Sequence, residues 1–131
     1  MIPNDKYTTG DFKLENPIFV EAEDTVSKVY QLMQRERIRH VPVLEKGKPV
    51  GVISDRDVKF VSYASGVVEM TAKTIMSDDV YSIQEGTPVK DAILHMWEKK
   101  IGSTIITDND GHLTGIITAS DALRMLAESM S

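Results

Sequence analysis

The chain has 131 residues, 41% hydrophobic and 27% charged, a balance ordinary for a water-facing globular domain with a core of its own. Its net charge of −5 offers no global positive field to nucleic acid or an anionic membrane, and no apolar run approaches the roughly 20 residues of a spanning helix. Without cysteine, the chain has no disulfide, thiolate metal ligand or thiol nucleophile, and its opening MIPNDKYTTGDF lacks the apolar stretch of a secretion signal, so a cytoplasmic protein is expected.

Residues 1–17 read as a tail and lead-in, with Phe12 and Leu14 standing where Ile75 and Met76 stand before the second half. IFV at 18–20 is a short strand candidate. Asp24-Thr25 then signals a helix start, and TVSKVYQLMQRERI places Val26, Val29, Tyr30 and Met33 at i, i+3, i+4 and i+7, which is one apolar helix face. HVPVLE at 40–45 and PVGVIS at 49–54 are strands about a turn at Lys46-Gly47-Lys48, and a second helix starts near Asp55. Gly66 closes a first repeat spanning 18–66, and 67–79 reads as linker and lead-in.

The pattern then returns. VYSI at 80–83 is a strand candidate, Thr87 is expected to cap the next helix, and Pro88 takes its first turn. In PVKDAILHMWEKKI, Val89, Ala92, Ile93 and Met96 each follow Val26, Val29, Tyr30 and Met33 by 63 positions. STIITD at 103–108 and LTGIIT at 113–118 flank a turn at Asn109-Asp110-Gly111 that is one residue longer, so the offset becomes 64. A last helix from near Ala119 completes a second repeat over 80–127. The expected fold class is α/β, written as two tandem β-α-β-β-α repeats.

The chemistry concentrates where the third strand of each repeat meets its helix, in GVISDRDV at 51–58 and GIITASDA at 115–122. Ser54-x-x-Asp57 and Thr118-x-x-Asp121 read first as capping boxes, a hydroxyl at the cap and an acid three residues on. The same groups suit a nucleotide. A helix N-terminus attracts phosphate, a hydroxyl bonds phosphate or ribose, and a carboxylate accepts both vicinal ribose hydroxyls. Cap and contact are compatible. Arg39-His40, at the start of the middle strand, face Gly102-Ser103 in the other copy. Their plain reading is a solvated strand end, yet Arg39 could fork onto a phosphate and His40 could add a proton-dependent charge. Arg56 either adds charge or pairs with Asp55. His95 and His112 read as structural, Trp97 as local core ahead of an exposed helix-packing residue for a partner, and the acids at 78–79 and 108–110 as turns and caps rather than metal ligands. No GxSxG, Walker A loop or GxGxxG is present, so no catalysis is expected.

Two such units in tandem, with h-P-V in a strand and G-h-h-[ST]-x-x-D closing each copy, resemble a pair of CBS domains (cystathionine β-synthase domains, a Bateman module) over about residues 18–126, and the lead-in TIMSDDVYSIQEGTPVKDAILHM is similar to that family's second-copy opening. The resemblance implies two repeats packed with pseudo-twofold symmetry and two clefts that take adenosine-type ligands. One cleft would combine Ser54, Asp57, Arg39 and His40, walled by Tyr81, Ile83 and Ile101. The other would combine Thr118, Asp121, Gly102 and Ser103, walled by Ile18, Val20 and Ile38. The implied effector is AMP, ADP or ATP, with S-adenosylmethionine and NAD as further members of the class, and no obligatory cofactor or metal. The function implied is regulatory: a nucleotide sensor that is not an enzyme, acting on a separate regulated protein because only short tails flank the repeats, or through its own homodimer. Apolar residues beyond one face of the helices, Leu32 on the first and Leu123, Met125 and Leu126 around the last, favour that homodimer. The rival reading is a ligand-free dimerisation scaffold in which both hydroxyl-x-x-Asp motifs are caps alone.

Overall fold

Two three-stranded sheets and five helices follow one another in a computed structural model that describes residues 8–12, 16–62 and 70–130. Leu14, Gly66 and positions 67–69 of the linker lie outside these described residues. The first repeat runs β1 (Val20–Glu21), α1 (Val26–Glu36), β2 (His40–Glu45), β3 (Lys48–Ser54) and α2 (Asp55–Ser62). After a short α3 (Ala72–Ile75), the second runs β4 (Ser82–Gln84), α4 (Val89–Lys99), β5 (Ser103–Thr107), β6 (Leu113–Thr118) and α5 (Ala119–Ser129).

In the first sheet β1 lies parallel to β2, which forces the helical crossover α1, and β2 turns antiparallel into β3. The hairpin turns at Lys46 and Gly47, whose φ angles of 53° and 80° are those of a tight primed turn. Val26, Val29 and Met33 of α1 are buried with Val41, Val43, Ile53 and Val58, so the apolar stripe lands on one face of the sheet. Tyr30, the remaining member of the stripe, stays 49% exposed at its edge. The second sheet repeats the order β4-β5-β6, with Ile83, Val89, Ala92, Met96, Ile106, Ile117 and Met125 as its core.

The copies agree in small features too. Each has a register irregularity in its middle strand, at Val43/Leu44 and at Ile106/Thr107. The first helix of each repeat, α1 or α4, ends on a cation in the left-handed region, Arg37 at φ 55° and Lys100 at φ 58°, whose N–H returns to the Met33 or Met96 carbonyl.

Three expectations are corrected. The opening strands begin later than 18 and 80, because pairing starts at Val20 opposite Val43 and at Ser82 opposite Ile105. Thr87 does not cap α4: its hydroxyl donates to the Gln84 carbonyl at 2.7 Å, its N–H donates to Thr9 Oγ1 at 3.2 Å, and Pro88 takes the cap position. Trp97 is 68% exposed instead of core, since it follows the buried Met96 by one residue and therefore points off the stripe.

By contact density the chain divides into Ile18–Val80 and a second unit that joins Met1–Pro17 to Tyr81–Ser131. The short turn Thr9–Phe12 thus packs with the second repeat. Thr9 is fully buried there, with Oγ1 donating to Gln84 O at 2.7 Å and its N–H donating to Thr87 O at 2.9 Å. The segment ahead of the second repeat is held by the first: Val26 N–H donates to Met70 O, and Ala72 N–H to Asp24 O. The bridges Thr8–Pro88 and Thr25–Thr71 are the same contact 63 positions apart. Phe12 and Ile75, which correspond at that offset, are each half-buried against a core.

Beyond α3, Ser77 straps the free edge of β3 through two bonds, Val52 N–H to Ser77 O at 3.0 Å and Ser77 N–H to Val52 O at 2.9 Å. Gly51 has to be glycine beneath this strap, because a Cβ there would collide with the Met76 side chain and lie 2.9 Å from the Ser77 carbonyl oxygen. Gly51→Ala should therefore destabilise the protein by roughly 1–3 kcal/mol, the usual cost of overpacking. Equilibrium denaturation measures this, and an unchanged midpoint would mean that the strap is not clamped on β3.

Candidate functional site

The two strand-to-helix junctions form as reciprocal caps. In the first, Ser54 N–H donates to Asp57 Oδ2 at 2.9 Å and Asp57 N–H donates to Ser54 Oγ at 3.2 Å. In the second, Thr118 N–H donates to Asp121 Oδ2 at 2.8 Å, Thr118 Oγ1 to the same oxygen at 3.1 Å, and Asp121 N–H to Thr118 Oγ1 at 3.3 Å. A further bond ties each helix start to the residue before the middle strand: Asp55 N–H to Arg39 O at 2.8 Å, and Ala119 N–H to Gly102 O at 3.0 Å. The motif residues of each copy are thereby gathered at the positive end of a helix. All four cap residues are half-buried, so their polar atoms border solvent while held in place.

Beside the first cap lies His40, paired with Ser54 across β2 and β3, as Ser103 is paired with Thr118 in the second copy. Burial pushes the His40 imidazole below the ordinary histidine range, against the opposing pull of Asp55 and Asp57, and Arg39 adds to the depression. The surroundings differ between the copies. The first junction carries Asp55 and Arg56 where the second has Ala119 and Ser120. Asp55 ion-pairs with Lys59 at 3.5 Å, and exposed Arg56 projects from the first turn of α2. Asp121 uses Oδ2 for its cap and turns Oδ1 toward Arg124 at 3.7 Å.

Arg39 and His40 part company. Strand alternation sets His40 with Pro42 and Leu44 on one face, whereas Arg39 falls in phase with the core residues Val41 and Val43. Arg39 accordingly lines a groove on the helical side, between α1 and α2, together with Asp55. Of the residues expected to wall a ligand, Val20 and Ile83 are only 2% and 8% exposed within the core of their own units. Ile18 is half-buried, and Ile38 and Ile101 pack beside the two cores. Tyr81 stacks on His95 with ring centroids 3.6 Å apart, a pairing that no local sequence pattern announces. Asp108, Asp110 and His112 gather at the β5–β6 turn, where Asp108 Oδ1 accepts from the Asp110 N–H at 2.9 Å and the His112 N–H at 3.0 Å. That is the turn chemistry expected of them.

Comparison with known proteins places the fold in a family. The CBS domain family model matches residues 10–63 and 72–128. The chain is 32% identical over 114 residues to inosine-5′-monophosphate dehydrogenase of Streptococcus pyogenes, a stretch that is 85% of this chain and 22% of the dehydrogenase. It therefore spans about a fifth of that relative's length. Among solved structures it is similar to the CBS domain pair of protein MJ0100 in complex with 5′-methylthioadenosine and S-adenosyl-L-methionine, at TM-score 0.84 and 22% identity, covering 94% of this chain and 98% of that one. It is also similar to CBSX2 in complex with AMP, at TM-score 0.79 and 24% identity, covering 95% of this chain and 99% of that one. With both of its repeats matched by the family model and its whole fold shared with CBS pairs, this chain belongs to the CBS domain family.

Proposed function

We propose that the protein is an adenine-nucleotide sensor, binding an adenosyl ligand at its junctions and passing the bound state to a separate protein or through its own homodimer. One observation carries the reading: the same half-buried hydroxyl and carboxylate are fixed at a helix N-terminus twice in one chain. In each copy Oδ2 makes the cap, and a carboxylate held there can also accept from the two vicinal hydroxyls of a ribose. The positive helix end then suits the phosphate. The adenosyl ligands of the MJ0100 and CBSX2 structures support this class of effector. The similarity to one segment of a much longer dehydrogenase supports a regulatory module, distinct from catalytic machinery.

The two seats are unequal. Arg56 brings a fixed cation and His40 a protonatable imidazole to the first, which is the seat for a phosphate-bearing adenylate. Ser103, Ala119 and Ser120 bring none to the second, which suits a less charged adenosyl compound. Charge-assisted bonds of about 1.5–3 kcal/mol against about 1 for neutral ones separate the seats by tenfold or more.

Two measurements check the reading. AMP at 100 times its dissociation constant should stabilise the fold by about 2.7 kcal/mol, seen as a rise of several degrees in melting temperature. Asp57→Ala should remove the tighter event in calorimetry with AMP or ATP and Asp121→Ala should leave it near normal. A melting curve unmoved by adenylates, S-adenosylmethionine and NAD at millimolar concentration would establish the scaffold reading instead.

A further measurement concerns pH. Because the folded His40 pKa is lowered, its imidazole is neutral above the usual histidine value. A phosphate seated beside it favours the protonated form, so binding takes up a proton and AMP affinity rises as pH falls from 8 toward 6, by roughly tenfold per unit at most. The ligand's own second phosphate ionisation, near about 6, acts equally on wild type and His40→Gln. The wild type should therefore gain affinity relative to the variant at low pH; parallel pH profiles would remove His40 from the phosphate seat.

A further inference from the structure

The two repeats share a backbone plan but differ in what lies between their helices. In the first, α1 and α2 border a groove of about 310 Å³ with an apolar floor of Met33, Ile38 and Val58 and a rim of Arg37, Arg39 and the Asp55–Lys59 ion pair. At the repeat offsets of 63 and 64, Arg39 corresponds to Gly102, Asp55 to Ala119 and Lys59 to Leu123. Arg37 corresponds to Lys100, whose ammonium lies 4.5 Å from the Trp97 ring centre, and Trp97 itself stands where the first repeat has Gln34. The charged rim therefore belongs to one repeat alone, and the shared fold does not require it. Charge defines what the groove can take. Lys59 and Asp55 offset each other at 3.5 Å, whereas among the described residues neither Arg37 nor Arg39 makes an ion pair. Two guanidiniums open to an anion thus stand over an apolar floor.

We propose that this groove is a second effector site, separate from the adenosyl seats, for a small apolar carboxylate. A planar carboxylate matches the fork of a guanidinium in a paired, charge-assisted contact, which Arg37 and Arg39 can supply from the rim. The hydrocarbon body then covers Met33, Ile38 and Val58, and Tyr30, 49% exposed, gives an aromatic body a ring to pack against. At the roughly 30 Å³ that each water takes in the liquid, the groove has room for on the order of ten non-hydrogen atoms, near the lower limit of small-molecule pockets. A phosphate is the poorer occupant. Arg37 is the C-cap of α1, where the helix dipole is negative, so the rim suits one anionic charge better than two. The site is also distinct from the first adenosyl seat, because Arg39 lies in phase with Val41 and Val43 while His40 faces the other side of β2.

Phenylacetate, a single carboxylate on an apolar ring, is the probe. Calorimetry and the methyl NMR signals of Met33, Ile38 and Val58 follow its binding to the whole chain without nucleotide, so the result stands apart from the nucleotide reading. The expected dissociation constant is about 0.1–1 mM, ordinary for a ligand of that size. Phenethyl alcohol keeps the ring without the charge, and acetate keeps the charge without the ring; each should bind at least roughly tenfold more weakly. Arg39→Gln and Arg37→Gln, with circular dichroism to certify their fold, should each cost roughly tenfold in phenylacetate affinity. No binding at millimolar phenylacetate, equal binding of the alcohol, or an affinity unchanged in both variants would overturn the inference. Displacement of phenylacetate by AMP or inorganic phosphate would also overturn it, by making the groove part of the nucleotide seat. So would a sedimenting dimer in which the three methyl signals ignore phenylacetate, because a second copy then covers the groove.

Discussion

The bond from the first helical N–H back to the residue before the middle strand, Asp55 to Arg39 and Ala119 to Gly102, ties three elements at one point in each repeat. It joins the end of the third strand, the start of the second helix and the entry to the middle strand. The reciprocal cap then locks the helix against sliding or unwinding by a turn, since Ser54 and Asp57, or Thr118 and Asp121, satisfy each other's backbone N–H groups. With that corner fixed, the hairpin register places Val41, Val43 and Ile53 on the helical face, and α1 has a surface to cover. Under the proposed function the groups that make the corner would also meet a ribose and a phosphate, so that stability and recognition would share atoms and a ligand would add bonds to a framework already formed.

Backbone geometry is repeated more strictly than side-chain chemistry. The left-handed helix ends, the middle-strand irregularities and the lead-in bridges recur at a constant offset because each satisfies a backbone requirement. Side chains on that frame diverge. His40, Asp55 and Arg56 give the first junction titratable and fixed charge, whereas Ser103, Ala119 and Ser120 leave the second nearly neutral. On the helical side the same divergence turns Gln34 and Lys59 into Trp97 and Leu123. One duplicated scaffold thus carries two chemically distinct junctions and two unlike outer faces.

What depends on local periodicity was legible in advance. The limits of β2 and β6, the helix starts at Asp55 and Ala119, and the buried stripe of α4 all follow from alternation, i, i+3, i+4 spacing and cap residues. Long-range partners were not. Nothing near Thr9 in the sequence indicates that its hydroxyl will serve Gln84 and Thr87, more than seventy residues away. That partnership is why Thr87 fails as a cap. Gly51 was visible as part of a motif, but its reason, the Met76–Ser77 strap, comes from a segment outside the repeat's own strands. Arg39 and His40 were read as one cationic pair, although adjacent residues entering a strand face opposite ways. For Trp97 the sequence offers both local core and an exposed helix face, and its angular position beside Met96 decides for exposure.

The central claim is that each cap is also the seat of an adenosyl ligand, and amide chemical shifts test it residue by residue. Titrating AMP into isotopically labelled protein should move the amides of Ser54 to Asp57 first and most strongly, with His40 beside them. Thr118 to Asp121 should respond at higher ligand concentration, and the Asp110 and His112 amides, at the opposite end of β6 from Thr118, should stay still. Shifts confined to other surfaces, or a spectrum unchanged at millimolar AMP and S-adenosylmethionine, would contradict the account and leave both motifs as helix caps alone.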